Sequence, residues 1–234
     1  MRLPPLIEGR LILRYKRFLA DVELAGGRRI TAFVPNTGSL LGCIEPGRPV
    51  WLADSANSTR KHRYTWMLVK PERSLVCVDT FVANPVVFDA ARRQQIPQLA
   101  GYREYLAEVP YGQNSRADLC CRVHADDMLR RVWVEVKSTT LAENGVAMFP
   151  DAVTERGRKH LVELQSMVRR GERALQLFFV QRRDAEVFRP ADHIDPAYAG
   201  ELRRAAANGV KVLALQAKIT KRSITILRPL RVEI

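Results

Sequence analysis

The sequence predicts an α+β protein of two domains: a small all-β barrel over residues 1–80, then an α/β domain over residues 81–234 with a mixed sheet flanked by helices. Three observations predict it. Short apolar stretches alternate with turn signals through the first eighty residues, with no helical window. Past residue 81 the pattern switches to helix-period stripes between strands. Ala174–Val180 is an apolar run, interrupted only by Gln176, of the kind buried on both faces of a sheet.

In the first part the strand stretches are Gly9–Leu13, Phe18–Leu24, Arg29–Val34, Arg48–Leu52, Tyr64–Val69 and Ser74–Val78. Gly26-Gly27, Pro35-Asn36-Thr37-Gly38, Glu45-Pro46-Gly47, Ser55–Ser58 and Lys70-Pro71 separate them. So many short strands in so little chain suggest a closed barrel, of which the oligonucleotide-binding (OB) type is a frequent example. Arg14-Tyr15-Lys16-Arg17-Phe18 interleaves basic and aromatic groups, as single-strand binders do, although the rings would equally serve to fill the barrel. Arg60-Lys61-His62-Arg63 is a basic cluster at a loop, open to phosphate or simply solvated.

Asn84-Pro85 introduces a helix to about Gln95, with proline where its missing N–H costs nothing. Val86, Val87, Ala90 and Ala91 form its apolar stripe, with Asp89 beside it. Tyr105–Pro110 reads as a strand. Residues 138–153 read as a long connection carrying Asn144-Gly145 and Phe149-Pro150-Asp151. A second helix runs from about Asp151 or Thr154 to Arg170, stopped by Gly171, with Leu161, Leu164 and Val168 on its core face. Arg156, Arg158, Lys159 and His160 crowd its first turns, where the helix dipole favours anions instead. A docked phosphate would explain them, and so would a solvated surface. Asp195-Pro196 caps a third helix ending at Asn208-Gly209, Val210–Ile219 is a strand, and Ser223–Ile234 is a last strand whose partner cannot be read.

Chemistry concentrates in Asn114–Lys137. Alternation turns Val132, Val134 and Val136 one way and Trp133, Glu135 and Lys137 the other. Asp118, on the preceding strand, would lie across the hairpin from them. Such a face is either solvated, with Glu135 and Lys137 pairing with each other or with Arg116 and Asp118, or it holds Mg²⁺ beside a phosphate.

Lys and Arg exceed Asp and Glu by 38 − 25 = 13, which favours a polyanionic partner, nucleic acid ahead of membrane. Cys43, Cys77, Cys120 and Cys121 form no C-x-x-C pair, and no Cys/His spacing suggests zinc. The Met-Arg-Leu-Pro-Pro start has no apolar leader, and no run approaches the ~18 residues of a membrane span, so a reduced, cytoplasmic protein is expected. There is no G-x-G-x-x-G after a strand, no P-loop and no G-x-S-x-G elbow.

Nearly the whole chain resembles the sugar fermentation stimulation protein family of prokaryotes. The resemblance rests on Arg14–Val22, Pro35-Asn36-Thr37-Gly38-Ser39, Ala83-Asn84, Tyr111-Gly112 with Ser115-Arg116-Ala117-Asp118, Val134-Glu135-Val136-Lys137-Ser138, and Phe149–His160. It implies an OB-like barrel joined to a PD-(D/E)xK nuclease-like domain, sequence-nonspecific DNA binding with RNA as the alternative, and a regulatory link to sugar metabolism. By similarity to such nucleases, Asp118 and Glu135, with the Val136 carbonyl, would hold Mg²⁺ or Mn²⁺, and Lys137 would orient the attacking water. Asp89 stands where the family's first helix usually carries Glu, a third candidate ligand one methylene shorter. Arg14, Tyr15, Lys16, Arg17, Arg60, Lys61, Arg116, Arg156, Arg158, Lys159 and His160 are the candidate nucleic-acid contacts. Nuclease-like domains often pair, so a homodimer is one open arrangement. A nonspecific DNA-binding protein, an active metal-dependent nuclease, and a partner-binding module with incidental charge are the three functions compatible with the residues.

Overall fold

The computed structural model describes residues 1–234 except Ser58, Arg60, Arg73, Gln113, Asn114, Asp126 and Asp127. The first domain is an OB barrel. Its strands are β1 (Leu6–Tyr15), β2 (Leu19–Leu24), β3 (Arg29–Phe33), β4 (Pro49–Asp54), β5 (Tyr64–Val69) and the short β6 (Val76–Cys77). They follow the order β3-β2-β1-β4-β5-β6, and a parallel pairing of Ala32–Phe33 with Tyr64–Thr65 closes the first five into a barrel. Its core gathers the inward residues of this alternation, including Leu11, Val22, Ala32, Leu52 and Trp66.

The second domain contains α1 (Ala83–Arg92), β7 (Glu104–Tyr111), β8 (Ser115–Ala125), β9 (Met128–Thr139), β10 (Leu141–Glu143), β11 (Val146–Phe149) and α2 (Glu155–Arg169). It continues through β12 (Arg173–Val180), β13 (Val187–Pro190), α3 (Pro196–Ala207), β14 (Lys211–Ile219) and β15 (Ile224–Val232). The sheet runs β10-β11-β13-β15-β14-β12-β9-β8-β7, with β9, β12 and β14 parallel and β7, β8 and β9 antiparallel. The valines of β9 share a core with α1, whereas Trp133 packs with α2 and α3. Both faces of β9 are therefore covered, and the solvated-face reading of Glu135 fails: the residue is 2% exposed.

One local expectation needs correction, and two features that the sequence left open are resolved. The stretch 138–153 is no bare connection: it holds the β10–β11 hairpin, turned by Asn144 (φ 48°) and Gly145 (φ 81°) in the left-handed region. Residues 187–190 form a strand that the sequence pattern concealed, because Pro190 ends it after four residues. The last strand, β15, pairs antiparallel with β14 and parallel with β13. The cysteines are all buried and unpaired, and among the described residues no helix is long and apolar enough to cross a membrane.

Candidate metal and nucleic-acid site

A cleft of about 590 Å³ opens between the two domains. The barrel contributes Arg17 and Asn36–Gly38; the second domain contributes the start of α1, the acid strands, the β11–α2 connection and the start of α2. At its base lie Asp118, Glu135, Lys137 and His160.

Asp118 gets there because the β8–β9 ladder, with Leu119 opposite Val134, carries it to the level of Glu135. Beyond that register its carboxylate takes over the role of a strand partner, accepting the Val136 N–H at 2.7 Å through one oxygen and the Asn84 side-chain amide at 2.7 Å through the other. Burial, with the Glu135 charge adding to it, pushes this carboxyl up to about 6 against the pull of Val136, Lys137 and Asn84. Glu135 behaves oppositely. Burial favours its neutral form, but the Lys137 ammonium and the His160 ring outweigh that and hold it below the usual carboxylate range.

Glu135 Oε1 accepts Lys137 Nζ at 2.7 Å and meets His160 Nδ1. His160 in turn faces Lys137 Nζ at 3.4 Å and accepts from Arg156 Nε at 3.4 Å. The second glutamate oxygen, Oε2, is buried with no partner. An ionised oxygen left without a partner is costly, and a hard cation would satisfy it. Among the described residues no group of three or more His, Cys, Asp or Glu side chains is placed to hold a metal ion by itself. Two carboxylates and a carbonyl leave most positions to water and phosphate oxygens, the coordination that Mg²⁺ prefers. The residues thus fit such an ion.

The other sequence candidates divide. Arg17 and Arg156 line the cleft. His160 lies in the acid cluster and is buried, not on a basic docking surface. Arg14 is turned inward: its guanidinium donates to the carbonyls of Arg17, Asn36, Gly38 and Ser39, so it shapes the Asn36–Ser39 loop. Tyr15 donates to Asp21 at 3.1 Å. Lys16 is exposed on the β1–β2 turn, and Lys61 is exposed on the β4–β5 loop, where Arg60 lies outside the described residues. Arg116, Arg158 and Lys159 do not line the cleft; Lys159 stands 3.8 Å from Glu163. Asp89 does not join the acids. Helix phase puts it on the exposed side of α1, paired with Arg93 at 3.0 Å, because Val86, Val87, Ala90 and Ala91 claim the core.

Two site residues had no role assigned from sequence. Asn84 was read as a helix start and part of a motif, and Asp151 as a loop residue or helix start within a motif. Asp151 carries the seam between the domains: its carboxylate accepts the Leu40 N–H at 2.9 Å and its carbonyl accepts the Ser39 hydroxyl. Gly38 makes that approach feasible, since a Cβ there would sit 2.4 Å from the Asp151 carboxylate.

Comparison with known proteins agrees with this architecture. Residues 12–78 match the family model described as the SfsA N-terminal OB domain, and residues 81–223 match the sugar fermentation stimulation protein RE domain. A sugar fermentation stimulation protein homolog of Maricaulis maris is 50% identical over 230 residues, 98% of this chain and 97% of that one. One from Citrifermentans bemidjiense is 48% identical over 233 residues, 99% of each. The solved structure of Pyrococcus furiosus SfsA in complex with Ca²⁺ superposes with a TM-score of 0.87 at 28% identity, covering 100% of this chain and 98% of that one.

Proposed function

The chain belongs to the sugar fermentation stimulation protein family, and we propose that it is a sequence-nonspecific DNA-binding protein whose interdomain cleft carries a nuclease-type divalent-metal site. One observation carries the reading. A buried, charged carboxylate with an unpartnered oxygen, Glu135, sits beside Asp118 and Lys137 at the base of a cleft flanked by Arg17 and Arg156. The Pyrococcus furiosus relative was solved in complex with Ca²⁺, another hard cation that takes oxygen donors. Asp118 and Glu135, with the Val136 carbonyl, would hold Mg²⁺ or Mn²⁺ here. Such an ion would neutralise phosphate charge and acidify a water.

The chain's own groups do the rest. Arg17 and Arg156 hold the backbone from opposite walls, so affinity falls steeply with salt and little with sequence. Any effect on sugar metabolism would follow from DNA occupancy and not from reading base edges. Hydrolysis is a second reading, and Lys137 favours it. Its ammonium, 2.7 Å from Glu135, is placed to orient a water and stabilise charge developing on the phosphate. Asn84 keeps Asp118 aimed, and His160 keeps Glu135 aimed.

Two measurements test this. Binding of single-stranded and duplex DNA across a salt series should give a steep linear loss; affinity for both that is absent or indifferent to salt rejects the reading. Incubation of DNA with Mg²⁺ or Mn²⁺ against chelator, beside Asp118→Ala and Lys137→Ala, decides turnover. Cutting by wild type alone supports hydrolysis, and no cutting leaves the binding function.

A further inference from the structure

The rims of the cleft carry two large apolar side chains that nothing covers. Phe81 is 71% exposed and Val153 is 72% exposed, and both line the cleft. Single exposed apolar residues are ordinary, but Phe81 differs in how it is held. Its N–H donates to the buried Asp79 carboxylate at 2.8 Å, and the Asp79 carbonyl accepts from Gln181 at 3.1 Å. Thr80 next to it donates through its hydroxyl to the Pro35 carbonyl at 2.7 Å. The turn is thus fastened to both domains while its ring is left in solvent. A rigid backbone under an exposed ring is a preorganised contact surface, with little ordering cost left to meet on binding. Phe81 also precedes by three residues Asn84, which touches Asp118, and the ring lines the same cleft as the acids.

We propose that the cleft receives an unpaired DNA strand, and that Phe81 is the platform on which a base beside the bound phosphate stacks. This rests on the nucleic-acid reading of the cleft and names its substrate class. Within a duplex both faces of each internal base are already stacked, so an exposed ring gains little there; an unpaired base presents its face freely. The space agrees. A cleft of about 590 Å³ lies in the range of sites for small ligands, a size that suits a nucleotide or two of an unpaired strand. The acids lie at its base, with Glu135 almost wholly buried. The Asp151 seam to Ser39 and Leu40 ties the walls together. Arg17 and Arg156 supply the phosphate contacts on the two walls, and Val153 adds a second apolar spot on the β11–α2 side.

The test is fluorescence anisotropy in chelator, using a single strand of about twelve nucleotides, its blunt duplex, and the same strand with abasic sugars throughout. Wild type, Phe81→Ala and Phe81→Trp are compared after thermal melting confirms that all three are folded. One stack lost predicts about tenfold weaker single-strand binding by Phe81→Ala. Duplex affinity should change less than about twofold, the salt slope should not change, and Phe81→Trp should bind like wild type. Wild type should hold the abasic strand no better than Phe81→Ala does. Equal single-strand binding by wild type and Phe81→Ala overturns the platform, as does an abasic strand bound as tightly as the intact one. If duplex binding persists in those cases, only this inference is lost; if wild type binds no DNA at low salt, the nucleic-acid reading falls with it.

Discussion

Asp118→Asn separates the cost of this carboxylate from its use. Burial, with Glu135 beside it, lifts the Asp118 carboxyl from 3.8 to about 6. At ~1.4 kcal/mol per pH unit, keeping it charged at neutral pH costs the fold up to about 3 kcal/mol. Partial solvent contact trims that to roughly 1–3 kcal/mol. The folded protein holds this proton more tightly than the unfolded chain. The carboxyl therefore favours folding fully below about pH 4, and that contribution is lost as pH rises through about 6. Asparagine is neutral throughout and nearly isosteric. Its oxygen can accept the Val136 N–H while its amide donates to Asn84, provided the Asn84 amide flips. In chelator near neutral pH the variant should melt about 2–10 °C above wild type, and the gap should close towards pH 4. Adding Mg²⁺ or Mn²⁺ should raise the wild-type melting temperature and leave the variant unmoved. Scanning calorimetry across pH reads all of this. A variant less stable than wild type at neutral pH, or an advantage that does not change with pH, refutes the desolvation argument.

Four further substitutions probe separate parts of the site. His160→Ala removes the ring that meets Glu135 Oε1; metal affinity by titration calorimetry should fall about 10–100-fold, with DNA binding in chelator unchanged, and a parallel loss of DNA affinity would return His160 to the docking surface. Gly38→Ala forces a Cβ to within 2.4 Å of the Asp151 carboxylate. Urea unfolding should show a loss of about 1–3 kcal/mol, and an unchanged midpoint would mean the seam yields without cost. Arg14→Ala should lower stability by at least about 2 kcal/mol, since it strips charge-assisted bonds from several carbonyls, and leave the salt slope of DNA binding alone. Arg156→Ala should do the reverse, reducing that slope by about one with stability unchanged; matching effects from the two arginines would contradict their assignment.

Much of the site was legible because a strand's period is rigid. Once Val132, Val134 and Val136 face one core, Glu135 and Lys137 must share the other side, and a hairpin partner must bring Asp118 near them. What covers that other side was not legible. Whether Glu135 is solvated or buried depends on α2, whose helical phase against β9 is a tertiary fact, and His160 read as one more basic residue for the same reason. Asp89 shows the complementary limit: adjacency to an apolar stripe does not say on which flank a side chain emerges, and one step of about 100° takes it to solvent. Arg14 looked like a docking group because its neighbours were basic and aromatic. Apart from the nearby Arg17 carbonyl, its actual partners are main-chain carbonyls of a loop more than twenty residues later, which carry no side-chain signature. The β10–β11 hairpin was marked by Asn144-Gly145, but flanking strands of three and four residues are too short for alternation to register.

These long-range bonds bear on what the barrel is for. A barrel serving only as a tethered DNA-binding module would meet the second domain through a loose, polar surface. Here Asp151 reaches from the loop before α2 to Ser39 and Leu40, and Thr80 reaches back to Pro35. Asn36 donates to the Val78 carbonyl, and Gln181 of the second domain binds the Asp79 carbonyl between them. The Asn36–Gly38 wall of the cleft is therefore positioned by the same bonds that fasten the turn before α1, from which Asn84 steadies Asp118. A shift of the barrel would reach the acids through that turn, so the barrel forms part of the site's geometry, and the spacing between Arg17 on the barrel wall and the Asp118–Glu135 pair is set by the fold as a whole.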